Sequence, residues 1–252
     1  MNSPYIFTFI IGYRHSNERF NNLKRTLEWV NSFSGAEIIL VEQDKHSKIS
    51  HLNLGCKQIF VKSNKPYNRS WAFNVGLKYA TSNIIVFGDS DLIMKPEEFI
   101  SSIQKINDYD MVSPYHSVID LTPEETNLPL GNMITIDRAG RGELDNQKIN
   151  ICGGITIFKK EAIDRIGGWD ERFVGWGAED DFQTIKVENF IKHKEEPFRC
   201  YHLYHSRTQP DMNLYSHNIK LLEDGKKLTV EQLVAYIAKV RNNIGQLNKY
   251  DN

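Results

Sequence analysis

Short apolar runs alternate with amphipathic stretches along most of this chain, and no other feature of the sequence constrains the fold as strongly. The apolar runs predict strands at Tyr5–Ile11, Glu37–Glu42, Gln58–Lys62, Asn83–Gly88, Met111–Ser113, Ile155–Lys159 and Phe198–Leu203. The amphipathic stretches predict helices at Glu18–Ser32, Ser70–Ala80, Pro96–Ile106 and from Glu179 onward. Strands that alternate with helices are typical of βαβ units, so we expect an α/β fold with a mostly parallel central sheet flanked by helices.

The length of 252 residues suits one large α/β domain, for which we predict residues 1–220. Residues 221–252 are predicted to form a helical extension packed on this domain. Apolar residues recur there at helical spacing, namely Val230, Leu233, Val234, Ile237, Val240 and Ile244. The polar segment Tyr115–Asn150 has no sustained period, and we predict a long functional loop or excursion for it rather than a linker between domains.

Charge and cysteine content bear on the class of protein. The chain has 31 Lys and Arg against 32 Asp and Glu, a formal net charge of -1, so no basic excess indicates binding to nucleic acid. Cys56, Cys152 and Cys200 are odd in number and form no CxxC pair, which favours a reducing compartment. No run approaches the roughly 18 apolar residues of a transmembrane segment, and the N-terminal apolar run lacks the basic lead of a signal peptide. We therefore expect a cytoplasmic protein without a transmembrane segment, and leave peripheral membrane association open.

Asp89 and Asp91 follow the apolar run at residues 84–87. In extended backbone both side chains point to the same side, so a strand end would bring two carboxylates to one spot. A solvated turn is the alternative. A further alternative is the nucleophile motif of a haloacid-dehalogenase-like phosphatase, but that motif requires Thr or Val at Ile93 and a place on the first strand.

His202 and His205 offer two imidazoles three residues apart. In a straight strand these side chains face opposite sides, so joint ligation requires a bend at Tyr204. Carboxylate oxygens combined with imidazole nitrogens suit a divalent ion of intermediate hardness such as manganese. Two satisfied structural histidines are the alternative.

Three consecutive acids, Glu179, Asp180 and Asp181, follow Trp176 in a glycine-flanked segment. Clustered carboxylates raise one another's pKa, and one of them could accept the proton of a reacting hydroxyl. Another would bind a sugar by hydrogen bonds while Trp176 stacks on the sugar face. The alternative is a helix N-terminus that carries acids because the helix dipole favours them there. A metal, a polyphosphate-like ligand and a general base together indicate a nucleotide-sugar-dependent glycosyltransferase.

Two further patterns indicate a ligand. Gly153 and Gly154 precede a predicted strand, which favours a close approach of backbone to a ligand, with a tight turn as the alternative. Arg14 follows a strand and Arg69 precedes a helix, where both could contact phosphate or base. Ordinary surface arginines are the alternative for either one.

The motifs taken together carry a family resemblance. Over roughly residues 5 to 215, their order and spacing are similar to those of the catalytic domain of β-1,4-galactosyltransferases and their N-acetylgalactosaminyl relatives. The segments that carry this resemblance are Tyr67–Gly76, Val86–Ile93, Gly153–Gly154, Gly168–Trp169, Gly175–Asp181 and His205–Arg207.

This resemblance implies a GT-A fold, which is the Rossmann-like fold of nucleotide-diphospho-sugar transferases, together with a UDP-sugar donor, Mn²⁺ and inversion at the anomeric carbon. By position, Asp91 and His205 match the family's metal ligands. His202 stands where the animal members have a methionine ligand, and an imidazole is a suitable ligand for manganese. Asp180 matches the catalytic base.

The remaining expected roles also follow from the resemblance. Glu179 and Asp181 match acceptor-binding acids, and Trp176 matches the tryptophan of a mobile loop that contacts acceptor and donor. The residues expected around the donor are Arg14, Tyr67, Arg69, Asp89, Asp91, Ile151, Gly154 and Trp176.

Two positions modify this expectation. Galactose-transferring animal members have a tyrosine beside the sugar's C2 substituent where this chain has Ile151, and N-acetylgalactosamine-transferring relatives have a smaller aliphatic residue. Isoleucine leaves room for the acetamido group unless the loop takes another path. The family's second early arginine is replaced by Ser16, and Arg19 is the candidate substitute.

The sequence therefore predicts an inverting, metal-dependent glycosyltransferase of prokaryotic or viral type. We expect it to move galactose or N-acetylgalactosamine from a UDP-sugar to a hydroxyl of a glycan or lipid-linked glycan acceptor. One alternative is a family-2-type polysaccharide transferase that uses another UDP-sugar, such as one carrying glucose or a uronic acid. The other is a non-catalytic glycan-binding relative.

Overall fold

The computed structural model describes residues 6–144, 149–206 and 209–250, and ten strands and nine helices form within them. The strands are β1 (Phe7–Tyr13), β2 (Ala36–Asp44), β3 (Lys57–Lys62), β4 (Ile84–Gly88), β5 (Leu92–Met94), β6 (Met111–Ser113), β7 (Ser117–Asp120), β8 (Thr156–Lys159), β9 (His193–Glu195) and β10 (Arg199–His202). The helices are α1 (Asn17–Asn31), α2 (Arg69–Tyr79), α3 (Pro96–Lys105), α4 (Pro123–Thr126), α5 (Leu130–Met133), α6 (Lys160–Arg165), α7 (Glu179–Phe190), α8 (Met212–Lys226) and α9 (Val230–Val240). In these ranges every helix is too short or too polar to cross a bilayer.

The central sheet has seven strands in the order β3-β2-β1-β4-β8-β6-β9. Strands β3, β2, β1 and β4 pair in parallel, and β6 pairs in parallel with β9. Strand β8 runs antiparallel to both of its neighbours, β4 and β6. The predicted α/β fold with a mostly parallel central sheet is confirmed, and the predicted strands and helices end within about two residues of the observed ones.

Side chains of β1 alternate between two apolar cores, one on each face of the sheet. Phe9 and Ile11 lie in the core that α1 and α3 cover, with Trp29 among the residues that α1 contributes. Ile10 lies in the opposite core, where Phe73 of α2 is also buried. Because helices cover both faces, the central strands read as continuous apolar runs in the sequence.

A second sheet has three strands in the order β5-β10-β7. Strand β10 runs antiparallel to β5 and parallel to β7. The chain leaves the central sheet at the end of β4 and turns at Ser90 and Asp91 before it enters β5. Residues 89–91 therefore link the two sheets.

The segment Tyr115–Asn150, for which we predicted a loop or excursion, contains short regular elements that the sequence did not indicate. Strand β7 and the one-turn helices α4 and α5 form within it. Helix α4 has a capping box, in which the Thr122 hydroxyl accepts from the Glu125 amide and the Glu125 carboxylate accepts from the Thr122 amide. Elements of four residues are too short to show a periodicity, which is why the sequence pattern missed them.

The C-terminal residues form two helices, of which the sequence predicted only the second. Helix α8 is continuous across residue 220, where we predicted the end of the catalytic domain. Phe182 of α7, Leu222 of α8 and Leu233 of α9 share one small core, so both helices pack on the domain. The predicted helical pattern extends to Ile244, but α9 ends at Val240 and a 3-10 turn follows at residues 241–243.

Candidate active site

The site lies at the carboxyl ends of β1 and β4, the two parallel strands at the centre of the sheet. From β1 the chain passes through α1 to β2, which lies on one side of β1. From β3 it passes through α2 to β4, which lies on the other side of β1. Such a change of side opens a crevice beyond the carboxyl ends of the strands, where ligands bind in open α/β sheets. Arg14 follows β1 and Asp89 follows β4, so both begin at this edge.

One group of metal-ligand side chains occurs among the described residues, and it consists of Asp91, His202 and His205. Its candidate ligand atoms all lie within 4.8 Å of one another. The Nε2 atom of His205 lies 3.3 Å from Asp91 Oδ2, and that of His202 lies 4.0 Å from Asp91 Oδ1. Two donor atoms that are each about 2.1 Å from one ion lie roughly 3 to 4 Å apart. The three residues therefore fit a single divalent ion.

Helix α1 holds the bend that brings both histidines to this point. Strand β10 ends at His202, and residues 203–206 are irregular, as the predicted bend near Tyr204 required. The Asn22 amide donates to the Tyr204 carbonyl at 3.0 Å. One helical turn earlier, the Glu18 carboxylate accepts from the Ser206 amide at 2.8 Å. Two contacts from one helix face thus fix the path between the two histidines.

The surroundings of His205 favour its protonated form beside Asp91. Both ring nitrogens of His205 face acceptors, since Nε2 faces the Asp91 carboxylate and Nδ1 faces the Ser206 carbonyl at 3.1 Å. The hydrogen bond to Asp91 raises the pKa of His205. Burial works against the charge of Asp91, but the His205 hydrogen bond together with the positive charge of His202, Arg19 and His205 outweighs burial, so the pKa of Asp91 is lowered. An ion bound by Nε2 would displace this proton, because metal ligands must be deprotonated.

Asp89 and Asp91 do not point to one spot, so our extended-strand expectation was wrong. The chain turns at Ser90 and Asp91 instead of continuing as a strand, and this turn separates the two side chains. Asp91 faces the histidines, whereas the Asp89 carboxylate accepts from Arg69 Nε at 2.6 Å. Asp89 therefore belongs to the Arg69 side of the site.

The Arg69 guanidinium joins three parts of the chain. Besides Asp89, it donates to the Asp180 carboxylate from Nη1 and to the Gly154 carbonyl from Nη2 at 3.3 Å. Burial, together with the negative charges of Glu179 and Asp89, raises the pKa of Asp180 to about 8, although Arg69 acts in the opposite direction. A carboxyl group with such a pKa can exchange a proton near neutral pH.

The three consecutive acids lie in the first turn of α7, as predicted, and each has a different environment. Asp180 faces Arg69. One carboxylate oxygen of Glu179 is buried and has no hydrogen-bond partner among the described residues, and burial raises the pKa of this group. Asp181 is exposed. Successive residues of a helix point in directions about 100° apart, which explains how neighbours in sequence take different positions.

Trp176 is 66% exposed, which is unusual for so large an apolar side chain. Its ring stacks on Tyr215 of α8, with ring centroids 5.4 Å apart and an interplanar angle of 24°. Between Trp176 and the start of α7, Ala178 adopts a left-handed conformation with a φ of 71°. This is the one non-glycine residue with positive φ in the described part of the chain, and such strain often occurs at functional segments.

Arg14 and Tyr67, two of the predicted nucleotide-binding residues, lie near the carboxyl end of β1. Arg14 donates to the carbonyls of Gln43 and Lys65, at 3.0 and 2.8 Å. A Cβ at Gly12 would collide with the Tyr67 hydroxyl, so a glycine is required where Tyr67 crosses β1. Ser16 caps α1, and Arg19 in the first turn of that helix lies 3.7 Å from Asp91.

Gly154 and Ile151 precede β8. Gly154 has a φ of 65°, and a Cβ there would collide with the Tyr115 hydroxyl, which donates to the Gly153 carbonyl at 2.7 Å. Ile151 is 3% exposed and lies in the apolar core on the α2 face of the sheet. Its expected contact with the donor sugar stays a prediction.

The family is decided by a comparison with known protein families. The model named Glycosyl transferase family 2 matches residues 16–167, which is more than half of the chain. The chain belongs to glycosyl transferase family 2. A second model, described as the N-terminal domain of galactosyltransferase, matches residues 143–206, which include the acid cluster and both histidines.

This family 2 protein also resembles individual proteins. It is 24% identical over 190 residues to β-1,4-galactosyltransferase 4 of Cricetulus griseus, and the match covers 72% of this chain but only 44% of that protein. The catalytic domain of Drosophila β-1,4-galactosyltransferase 7 in complex with xylobiose superposes with a TM-score of 0.55 at 14% identity, over 88% of this chain and 81% of that one. A mutant of the same enzyme, in complex with manganese, UDP-Gal and xylobiose, gives a TM-score of 0.51 at 13% identity, over 89% and 81%. The predicted GT-A fold is confirmed.

The sequence missed several side chains that support the site of this family 2 protein. Tyr115, Asp120 and Tyr215 contact residues that the sequence did predict, and Arg141 contacts Asp120. The first three lie in the segment without a periodicity, and the fourth lies on the unpredicted helix α8. Arg207, part of the predicted His-Ser-Arg element, lies outside the described residues.

Proposed function

We propose that this protein is an inverting, metal-dependent glycosyltransferase. It would move galactose or N-acetylgalactosamine from a UDP-sugar to a hydroxyl of a glycan or lipid-linked glycan acceptor. The observation that carries this proposal is the arrangement around Arg69, which pairs with Asp180 on one side and with Asp89 on the other. Asp89 is two residues from Asp91, so a candidate base and a candidate metal cluster flank one crevice.

On the donor side, Asp91, His202 and His205 would hold a divalent ion, and Mn²⁺ suits this mixed oxygen and nitrogen set. When bound, the ion would neutralise the charge that develops on the departing diphosphate. Arg14 and Arg19 add positive charge at the same edge of the sheet. Their guanidinium groups would bind phosphate oxygens and orient the donor.

On the acceptor side, Asp180 would act as the general base. The acceptor oxygen attacks the anomeric carbon, the bond between this carbon and the UDP oxygen breaks, and the hydroxyl proton passes to Asp180. Attack from the side opposite UDP inverts the configuration. Glu179 and Asp181 would orient the acceptor by hydrogen bonds to its hydroxyl groups.

Trp176 would close over the bound donor and give the acceptor a stacking surface. Its high exposure and the positive φ values of Gly175, Gly177 and Ala178 support movement of this segment. Closure would exclude water, and this matters because hydrolysis of the donor competes with transfer.

The donor sugar is the least determined part of the proposal. Ile151 supports a sugar with an acetamido group, since isoleucine offers no hydroxyl and leaves space beside C2. The family 2 match over residues 16–167 favours, as a second candidate, a polysaccharide-type transferase that uses UDP-glucose or a UDP-uronic acid. The unpaired state of Cys56, Cys152 and Cys200 supports the proposed cytoplasmic location.

A donor panel tests the proposal. The purified protein with Mn²⁺ is offered UDP-galactose, UDP-N-acetylgalactosamine, UDP-glucose and UDP-glucuronic acid, each with and without a panel of acceptor sugars. We expect acceptor-dependent release of UDP, a product of the corresponding mass, and a β linkage by proton NMR. The Asp180→Asn variant is the matched control. Glycan binding without UDP release from any donor would instead indicate the non-catalytic relative.

A further inference from the structure

His202 directs its two ring nitrogens at two different carboxylates. Its Nε2 atom faces Asp91 at 4.0 Å, whereas its Nδ1 atom lies 2.9 Å from the Oδ1 atom of Asp120. A carboxylate can only accept in this contact, so Nδ1 carries a proton, and in the neutral ring the lone pair then lies on Nε2. The nitrogen that faces Asp91 is therefore the one that is ready to bind an ion.

Strand pairing fixes the place of Asp120. In the parallel pair of β7 and β10, Asp120 is the direct partner of His202. The Leu121 amide donates to the His202 carbonyl at 2.9 Å and extends this pairing by one residue. Backbone hydrogen bonds between β7 and β10 therefore set the distance between the Asp120 and His202 side chains.

Arg141 binds both oxygens of the Asp120 carboxylate, including the oxygen that faces His202. Its Nε atom donates to Asp120 Oδ2 at 2.7 Å, and its Nη2 atom donates to Oδ1 at 3.2 Å. Arg141 is itself anchored, because its backbone pairs with Val118 of β7 in an isolated bridge. A paired, planar contact of this kind orients a carboxylate as well as attracting it.

We propose that Asp120, oriented by Arg141, is a positioning residue that fixes the tautomer and ring orientation of His202. The role deepens the proposed function, since it serves the divalent ion that Asp91, His202 and His205 would share. Hydrogen bonds from metal-bound histidines to a carboxylate commonly set ligand orientation and basicity, and their loss weakens metal binding. In this chain the carboxylate that pairs with His202 comes from the segment Tyr115–Asn150, which shows no recognisable motif.

The metal affinity of variants tests this role without any need for a substrate. Calorimetric titration with Mn²⁺ should show about 10- to 100-fold weaker binding in Asp120→Ala than in the unmodified protein. Asp137→Asn is the matched control, because Asp137 is an exposed carboxylate of the same segment that pairs with Arg199 instead. In a His202→Ala background, Asp120→Ala should add little further loss, since the two residues act through one interaction. Equal Mn²⁺ affinity of Asp120→Ala and the unmodified protein would overturn the role.

The tautomer of His202 gives a second readout, which a merely structural role of Asp120 would not change. Long-range proton–nitrogen NMR of the metal-free protein should show the proton of His202 on Nδ1, and in Asp120→Ala a shift of this proton toward Nε2. A proton on Nε2 in the unmodified protein would refute the proposal. Because this measurement needs neither metal nor donor, its outcome is separate from that of the proposed sugar transfer.

Discussion

Arg69 and Asp180 are 111 positions apart in the sequence, yet the Arg69 guanidinium donates a hydrogen bond to the Asp180 carboxylate. The contact connects the first residue of α2 with the first turn of α7. Both helices begin at the edge of the sheet where the crevice opens. An arginine that is buried beside a candidate base stabilises the ionised form of that base and fixes its direction.

Metal dependence follows from the cluster of Asp91, His202 and His205. We expect a chelator to abolish transfer and Mn²⁺ to restore it, and Asp91→Ala and His205→Ala each to remove most of the activity. The exposed His217 gives a control variant, His217→Ala, which should keep both activity and metal response. Melting temperatures of all variants separate loss of the ion from loss of the fold. Full activity in excess chelator would contradict the assignment.

Removal of the base should affect turnover more than donor binding. We expect Asp180→Asn to lower kcat by about 100-fold or more, because the amide cannot accept the hydroxyl proton. UDP-sugar binding, measured by calorimetry, should stay nearly unchanged. The neighbouring Asp181→Asn is the matched control, and it should mainly raise the KM for the acceptor. Near-normal turnover in Asp180→Asn would indicate that Glu179 or Asp181 is the base instead.

The raised pKa of Asp180 predicts a pH profile with a definite direction. A carboxyl group with a pKa of about 8 is protonated at lower pH and cannot act as a base there, so kcat/KM at saturating Mn²⁺ should rise with pH up to about 8. Arg69 lowers this pKa, so Arg69→Gln should move the rise to higher pH. Arg165→Gln is the control, since Arg165 pairs with Asp110, and it should leave the rise of kcat/KM at the same pH. An unchanged profile in Arg69→Gln would show that another group limits the rate.

Donor choice is predicted to depend on Ile151. We expect UDP-N-acetylgalactosamine to be used at least as well as UDP-galactose, and Ile151→Tyr to shift preference toward galactose, because the larger ring occupies the space of the acetamido group. Ile151→Phe adds similar bulk without a hydroxyl, and it separates a steric effect from a hydrogen bond. The measurement is the ratio of kcat/KM for the two donors. Strict use of UDP-galactose by the unmodified protein would refute this prediction.

The sequence predicted the parts of the fold in which burial on both faces of the sheet dictates long apolar runs. Strands β1 and β2 are of this kind, whereas helices α1 and α2 were predicted from their amphipathic pattern. It also placed the three acids in the first turn of α7 and anticipated the bend between His202 and His205. These features depend on local chemistry, namely periodicity, helix termini and the opposite faces of a strand.

The sequence did not predict how Asp89 and Asp91 divide between two partners, since a turn at Ser90 overrides the alternation of an extended strand. Nor did it indicate Asp120 and Arg141. Their contacts depend on the pairing of β7 with β10, and the partners in this pairing are 82 residues apart for Asp120 and His202. No local pattern specifies a contact over such a separation.

The antiparallel direction of β8 places the connection that leads into this strand beside the site around Arg69. Because β8 runs antiparallel to β4, its first residues lie at the same edge as the last residues of β4. The backbone around Gly154 can therefore share Arg69 with Asp89. The described residues of the connection that leads into β8 do not pair with strands of the central sheet. If this connection borders the donor sugar as proposed, insertions and deletions there would reshape the sugar pocket while the sheet beneath it stays unaltered, and donor preference could then diverge faster than the architecture.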